Sequence, residues 1–126
     1  MKVQIPALAS DKELVHLFGS TMGHVIRSEK DQGSSITVAI KPPYSPSSYS
    51  VTEFFVSPKF RNSGIGDSLI KAALKHYPKD IGAQCSSDES TRLFWKNGFR
   101  MLDESLTLND ALKVRKENSS VYLKKF

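Results

Sequence analysis

A glycine-bearing run, RNSGIG at residues 61–66, has the residue types and spacing to hold a small anion. β-forming residues at 54–56 and a proline at 58 precede it, and apolar residues at helical spacing follow it to about residue 76. Glycine lets the backbone approach another group closely, and the first turn of a helix carries unpaired N–H groups and a partial positive charge. The run therefore suits a phosphate, although an ordinary strand-to-helix connection explains the same spacing equally well.

Two blocks of the sequence resemble the GNAT superfamily of N-acetyltransferases. The first, V-x-P-x-x-R-x-x-G-x-G at residues 56–66, is similar to the superfamily's acyl-CoA-binding signature through Arg61, Gly64 and Gly66. The second, at residues 90–99, looks like its later helix, which usually ends in an aromatic residue followed by Gly-Phe. The two blocks stand in the superfamily's order, and the stretch from the start of the first to the end of the second covers about a third of the chain.

The resemblance implies that main-chain groups of the strand and turn bind acetyl-CoA. The turn would bind the pyrophosphate, and the strand before it would bind the pantetheine arm and the acyl carbonyl. The residues implied are Phe55, Val56, Arg61, Asn62, Ser63, Gly64, Ile65 and Gly66. Lys59, Lys71 and Lys75 are either further phosphate contacts or ordinary surface charges. Asp67 departs from the superfamily, which often has a basic or small residue there, and its carboxylate would repel the phosphates.

Acetyl transfer to an amine needs a base for the amine and an acid for the departing thiolate. Glu53, on the strand before the turn, is the candidate base, although a glutamate paired with a surface lysine explains it equally well. His24 is a weaker candidate, because a lone histidine is more often structural.

The acid is harder to assign, because many relatives have a tyrosine where this chain has Phe94. Tyr122 is the candidate taken here, and the alternatives are Tyr44, Tyr49, Ser87 and water. Without such a group the protein would bind CoA without efficient turnover. Cys85 could accept an acyl group, but a small buried residue is the favoured interpretation.

Composition limits the class of protein. The chain has 126 residues, enough for one core, so we expect a single domain over residues 1–126. Its net charge of +5 suits an anionic ligand such as CoA, and also nucleic acid or an acidic protein. The one cysteine excludes an internal disulfide and offers no metal cluster, which favours a cytoplasmic protein. We expect neither a signal peptide nor a membrane span.

Periodicity and turn residues predict an α/β (α+β) fold, with a mixed, mostly antiparallel sheet and helices on both faces. We expect strands at residues 2–7, 24–27, 35–40, 51–56, 81–85, 99–106 and 120–126. We expect helices at about 11–20, 65–76, 87–96 and 109–116, with capping boxes at 10–13 and 86–89 and a loop at 41–50. A helix at 22–29 is the alternative to the strand that begins at 24.

The function that follows is an N-acetyltransferase that moves an acetyl group directly from acetyl-CoA to a primary amine. The amine would belong to a small molecule or to a protein lysine. A GNAT-like module that binds CoA or a partner without efficient turnover is the first alternative. A nucleic-acid-directed transferase or binder is the second, and a homodimer is left open.

Overall fold

A computed structural model describes residues 13–17 and 21–126, with residues 13–17 and Thr21 described by their backbone alone. Six strands form one sheet in chain order: β1 Glu13–Leu17, β2 Thr21–Arg27, β3 Ser35–Ile40, β4 Tyr49–Phe55, β5 Ile81–Cys85 and β6 Val121–Lys125. The helices are α1 Ile65–His76, α2 Asp88–Lys96 and α3 Leu108–Asn118. The strand expected at residues 2–7 lies outside the described residues.

The sheet is mixed, with β4 and β5 as its parallel pair and antiparallel pairing between all other neighbours. A parallel connection needs a crossover, and α1 supplies it. The α/β class and the mostly antiparallel sheet are therefore confirmed.

The β2–β3 hairpin forms because Asp31 closes its turn. The Asp31 carboxylate accepts hydrogen bonds from the Gly33 N–H at 3.2 Å and the Ser34 hydroxyl at 2.6 Å, and the Ser34 N–H binds the Asp31 carbonyl. Such side-chain contacts hold a tight turn between two apolar strands. The predicted hairpin is confirmed, and the alternative helix at 22–29 is wrong.

One face of the sheet packs against α1 and α2. Alternate strand residues supply this face, and α1 adds an apolar stripe that includes Ile65, Leu69 and Ile70, all fully buried. On α2, the Phe94 ring meets the Phe54 ring of β4 edge-on, with 5.3 Å between the centroids. α3 packs against α2 and β6. The contact of helix with sheet fixes the position of the turn at 61–64.

Two predicted elements are wrong, the helix at about 11–20 and the strand at 99–106. The helix expected at about 11–20 is instead strand β1, paired with β2 from Glu13↔Val25 to Leu17↔Thr21. A local capping pattern is a weak preference, and the open edge of β2 offers a full ladder of hydrogen bonds. Helices were expected on both faces. Among the described residues, α1 and α2 pack on one face, and the loop at 41–48 contacts the other.

The strand expected at 99–106 is reduced to one bridge, between Arg100 and Lys124. Beyond it the chain turns, because the Asp103 carboxylate accepts hydrogen bonds from the backbone and the hydroxyl of Ser105. Side-chain bonds of this kind compete with a sheet ladder. α3 follows, capped by Thr107 and Asp110, and runs on to Asn118, beyond the end expected at about residue 116.

Candidate active site

A gap opens between β4 and β5. The two strands pair at only three positions, from Tyr49↔Ile81 to Val51↔Ala83. On the other side of β4 the register with β3 shifts, so that Thr52 has no partner there. This extra residue is a β-bulge, and a bulge bends its strand. The second half of β4 therefore diverges from β5.

The turn at residues 61–64 brings backbone amides to the start of α1, although the Arg61 N–H itself donates to the Pro58 carbonyl at 3.3 Å. A single 3₁₀ turn, Pro58–Phe60, leads into it, and the first helical hydrogen bond is donated by Ser68 to the Gly64 carbonyl at 3.0 Å. The amides before Ser68 therefore have no partner within the helix. The Arg61 side chain points back, with its Nε donating to the Val56 carbonyl at 3.3 Å. Arg61 thus stabilises the turn itself.

The two glycines of the turn have different roles. Gly64 caps α1 in the left-handed conformation, with φ of 87°, and a Cβ built there would meet no heavy atom within 4 Å. Gly66 is buried, and a Cβ there would lie 3.0 Å from Leu93 Cδ2 and 3.2 Å from Phe54 Cζ. Gly64 therefore leaves open space in front of the helix N-terminus, while Gly66 lets α1 pack closely on β4 and α2.

An open cleft of about 680 Å³ lies in front of this turn. Phe54 and Val56 from β4 form its base, which reaches the gap. Its first wall comes from the turn and α1, through Phe60, Arg61, Asn62, Gly64, Gly66 and Asp67. Its second wall comes from α2, through Ser87, Glu89, Ser90, Arg92, Leu93 and Lys96. The cleft therefore joins the helix N-terminus to the space between the strands.

The cationic side chains of the cleft are Arg61, Arg92 and Lys96. Arg92 and Lys96 were not singled out from the sequence, although their i,i+4 spacing places them on one helix face. Lys59, Lys71 and Lys75, for which phosphate contacts and ordinary surface charges were the two alternatives, do not line the cleft. Lys59 lies 5.3 Å from the Phe60 ring centroid.

Asp67 is held in place by α2 and by lysines. Its carboxylate is bonded to the Lys71 ammonium, lies 3.9 Å from Lys96 Nζ, and accepts a hydrogen bond from the Asn97 amide at 2.9 Å. Partial burial raises the pKa of Asp67, but these hydrogen bonds and charges outweigh burial and leave the pKa below its ordinary value. Its negative charge is therefore largely compensated by its neighbours.

Glu53 and Tyr122 lie on the opposite face of the sheet. Phe54 lines the cleft, so its neighbours Glu53 and Phe55 point away from it. Tyr122 stands between the buried residues Val121 and Leu123 and points the same way as Glu53. The Glu53 side chain is exposed. The two predicted catalytic residues therefore share one face, on either side of β5.

The loop at 41–48 holds the Tyr122 hydroxyl. That hydroxyl lies 2.5 Å from Ser47 Oγ, over the backbone of Gly82 where the gap begins. Lys124 of β6 also holds the loop. Its ammonium donates a hydrogen bond to the Pro46 carbonyl at 3.0 Å and lies 3.1 Å from the Asp80 carboxylate. Hydrogen bonds from Ser48 and, to a smaller extent, from Lys124 hold the pKa of Asp80 below its ordinary value. These contacts therefore hold the loop at 41–48 beside the point where the gap begins.

Several other candidates lie away from the gap. His24 is hydrogen-bonded to the Tyr77 hydroxyl at the end of α1, and the Tyr49 ring centroid is 4.3 Å from that of Tyr77. Tyr44 is fully exposed. Ser87, by contrast, lines the cleft, where it caps α2 with Ser90 in a capping box one residue later than the one predicted at 86–89.

Phe94 and Cys85 are core residues. Phe94 is 2% exposed and packs on Phe54 and Phe99, so the position of the superfamily's tyrosine offers no proton here. Cys85 is 1% exposed, and burial raises its pKa to about 12. This agrees with the interpretation of Cys85 as a small buried residue.

The strand, bulge, turn and helix frame this cleft, and sequence comparison identifies the family. The profile of the acetyltransferase (GNAT) domain matches residues 19–114, and the chain belongs to this family of acetyltransferases. No curated protein sequence and no solved structure gives a significant match. In residues 13–17 and 21–126, no helix is long and apolar enough to cross a membrane, and no three His, Cys, Asp or Glu side chains could hold a metal ion.

Proposed function

We propose that the protein transfers the acetyl group of acetyl-CoA directly to a primary amine, on a small molecule or a protein lysine. The observation that carries the proposal is the cleft between Gly64 and the gap. It brings unpaired helix amides and three cations to one end and the unpaired half of β4 to the other.

The turn would bind the pyrophosphate of CoA through backbone amides from Asn62 to Gly66, because the Arg61 N–H is already bonded to the Pro58 carbonyl. The left-handed Gly64 leaves room for an anion at the helix N-terminus, where the partial positive charge favours it. Arg92 and Lys96 would add charge from the opposite wall. The site therefore suits a nucleotide-bearing anion even with Asp67 beside it, because lysines compensate that carboxylate.

The end of β4 would hold the thioester through its backbone. The Ser57 N–H donates to Ser34 Oγ on the β3 side, at 2.9 Å. Consecutive amides of an extended chain point to opposite edges, so the Val56 N–H points into the gap. An amide there is placed to stabilise the oxyanion of the acetyl carbonyl. Phe55 would contribute by its main chain alone, because its side chain faces away.

The amine would approach from the face that carries Glu53 and Tyr122. Glu53 would take the proton of the amine, directly or through water, and Tyr122 would give one to the departing sulfur. The nitrogen forms its bond to the acetyl carbon as the carbon–sulfur bond breaks, and the sulfur leaves with the bonding electrons. Ser47 would hold the Tyr122 hydroxyl in position.

The second candidate is a CoA- or partner-binding module with weak turnover, favoured by Phe94. Its buried ring replaces a proton donor, so transfer would depend on Tyr122 alone or on water.

Release of free thiol from acetyl-CoA in the presence of a panel of primary amines tests the proposal. We expect Glu53→Gln to lower kcat by about 10²-fold and Tyr122→Phe by about tenfold or more. Glu104→Gln, at an exposed carboxyl in the turn after Phe99, is the matched control. Thiol release that is unchanged in Glu53→Gln would refute the role of Glu53. No release with any amine, while acetyl-CoA still raises Tm, would favour the binding module.

A further inference from the structure

Glu53 and Phe55 form a paired surface on the acceptor side of the sheet. They stand two residues apart on β4, so their side chains point to the same face, about 7 Å apart along the strand. Their partners on β3 are the short, buried residues Thr37 and Ser35. The Phe55 side chain is 44% exposed, and that of Glu53 is exposed as well. A carboxylate and an accessible aromatic ring thus stand side by side.

Their position ties this pair to the gap. Both residues follow the bulge at Thr52, in the half of β4 that has no partner on β5. Isolated exposed apolar residues are ordinary, but this ring lies beside the candidate base, where the acceptor must stand. An acceptor whose nitrogen reaches Glu53 therefore brings its neighbouring carbon atoms against Phe55.

Building on the proposed function, we propose that the acceptor is a primary amine with an aromatic or other apolar group a few carbon atoms from its nitrogen. The ammonium pairs with Glu53 and the apolar group covers the Phe55 ring. Covering that ring removes apolar surface from water on both partners.

The test compares 3-phenylpropylamine with propylamine, which has the same amine and chain without the ring. Binding of each amine is measured by calorimetry at saturating CoA. The value of kcat/KM for each amine is measured with acetyl-CoA as the acetyl donor. In the wild type we expect the ring to improve binding and kcat/KM by about tenfold. In Phe55→Ser, the ratio of 3-phenylpropylamine to propylamine, in affinity and in kcat/KM, should fall to about twofold or less. Leu102→Ser removes an apolar side chain that is 53% exposed elsewhere, and should leave the ratio unchanged.

The outcomes separate this inference from the proposed function. Equal binding of the two amines to the wild type, or a ratio that survives in Phe55→Ser, would overturn the acceptor class even where transfer occurs. Ring-dependent binding without thiol release would uphold the acceptor class and refute the transferase. A wild-type dimer that Phe55→Ser converts to a monomer would also overturn the inference, because Phe55 would then cover a second copy of the chain.

Discussion

The Asn97 side chain donates a hydrogen bond of 2.9 Å to the Asp67 carboxylate, and so fastens the end of α2 to the first turn of α1. The same Asn97 amide also donates to the Leu93 carbonyl at 2.9 Å, which fixes its orientation. From the sequence, the Asp67 carboxylate was expected to repel the phosphates. In the structure it links the two walls of the cleft. Its charge is shared with Lys71 and Lys96.

Removal of the Asp67 charge should weaken the fold in a pH-dependent way. The folded-state pKa of Asp67 lies below its unfolded value, so its contribution is present above about pH 4 and is lost as pH falls through the folded pKa. We expect Asp67→Asn to lower stability at pH 7 by about 1 kcal/mol, or about 4 °C in Tm.

Thermal unfolding from pH 7 to pH 2 measures this effect, and the difference from wild type should close at the acid end. Glu29→Gln, at an exposed carboxyl, is the control and should change little at any pH. A Tm difference for Asp67→Asn that is constant with pH would show that the charge is not what stabilises the contact.

Gly66 should tolerate no larger side chain, because α1 packs against Phe54 and Leu93 at this point. We expect Gly66→Val to cost about 2 kcal/mol of unfolding free energy through overpacking. Lys75→Val places the same β-branched residue at an exposed site of α1 and should cost about 0.5 kcal/mol. Urea unfolding measures both. Equal losses in the two variants would contradict the close packing at Gly66.

The Cys85 thiol should be inert in the folded protein. With a pKa of about 12, only about one thiol in ten thousand is ionised at pH 8, and the thiolate is the reactive form. Iodoacetamide at pH 8 should therefore modify Cys85 only at the rate at which the protein unfolds, and rapidly in denaturant. Fast alkylation of the folded protein would mean that Cys85 is accessible and would restore it as a candidate acyl acceptor.

The sequence predicted those parts of the site that depend on local chemistry. The turn, the helix after it and the β2–β3 hairpin follow from glycine, proline and apolar spacing over a few residues. The roles of Gly64 and Gly66 could not be separated, since the difference lies in what surrounds each Cβ. Leu93 and Phe54 are distant from Gly66 in sequence and meet it only through packing.

The errors had two sources, long-range strand pairing and a local turn that the apolar pattern did not indicate. The capping box at 10–13 predicts a helix, but pairing with the edge of β2 makes Glu13–Leu17 a strand. The strand expected at 99–106 fails because Asp103 closes a local turn. The bulge at Thr52 could not be predicted from the sequence, because it is set by the register of β4 against β3.

Thermal unfolding with and without excess acetyl-CoA, in three proteins, tests the CoA site most directly. Asn and Asp have the same shape and both tolerate the left-handed conformation of Gly64, so Gly64→Asn and Gly64→Asp differ only in charge. At a hundred times Kd the ligand adds about 2.7 kcal/mol, which should raise the wild-type Tm by about 10 °C. Gly64→Asn should keep most of this rise and Gly64→Asp should lose it. No rise in the wild type at millimolar ligand, or equal rises in all three, would contradict a phosphate site at this turn.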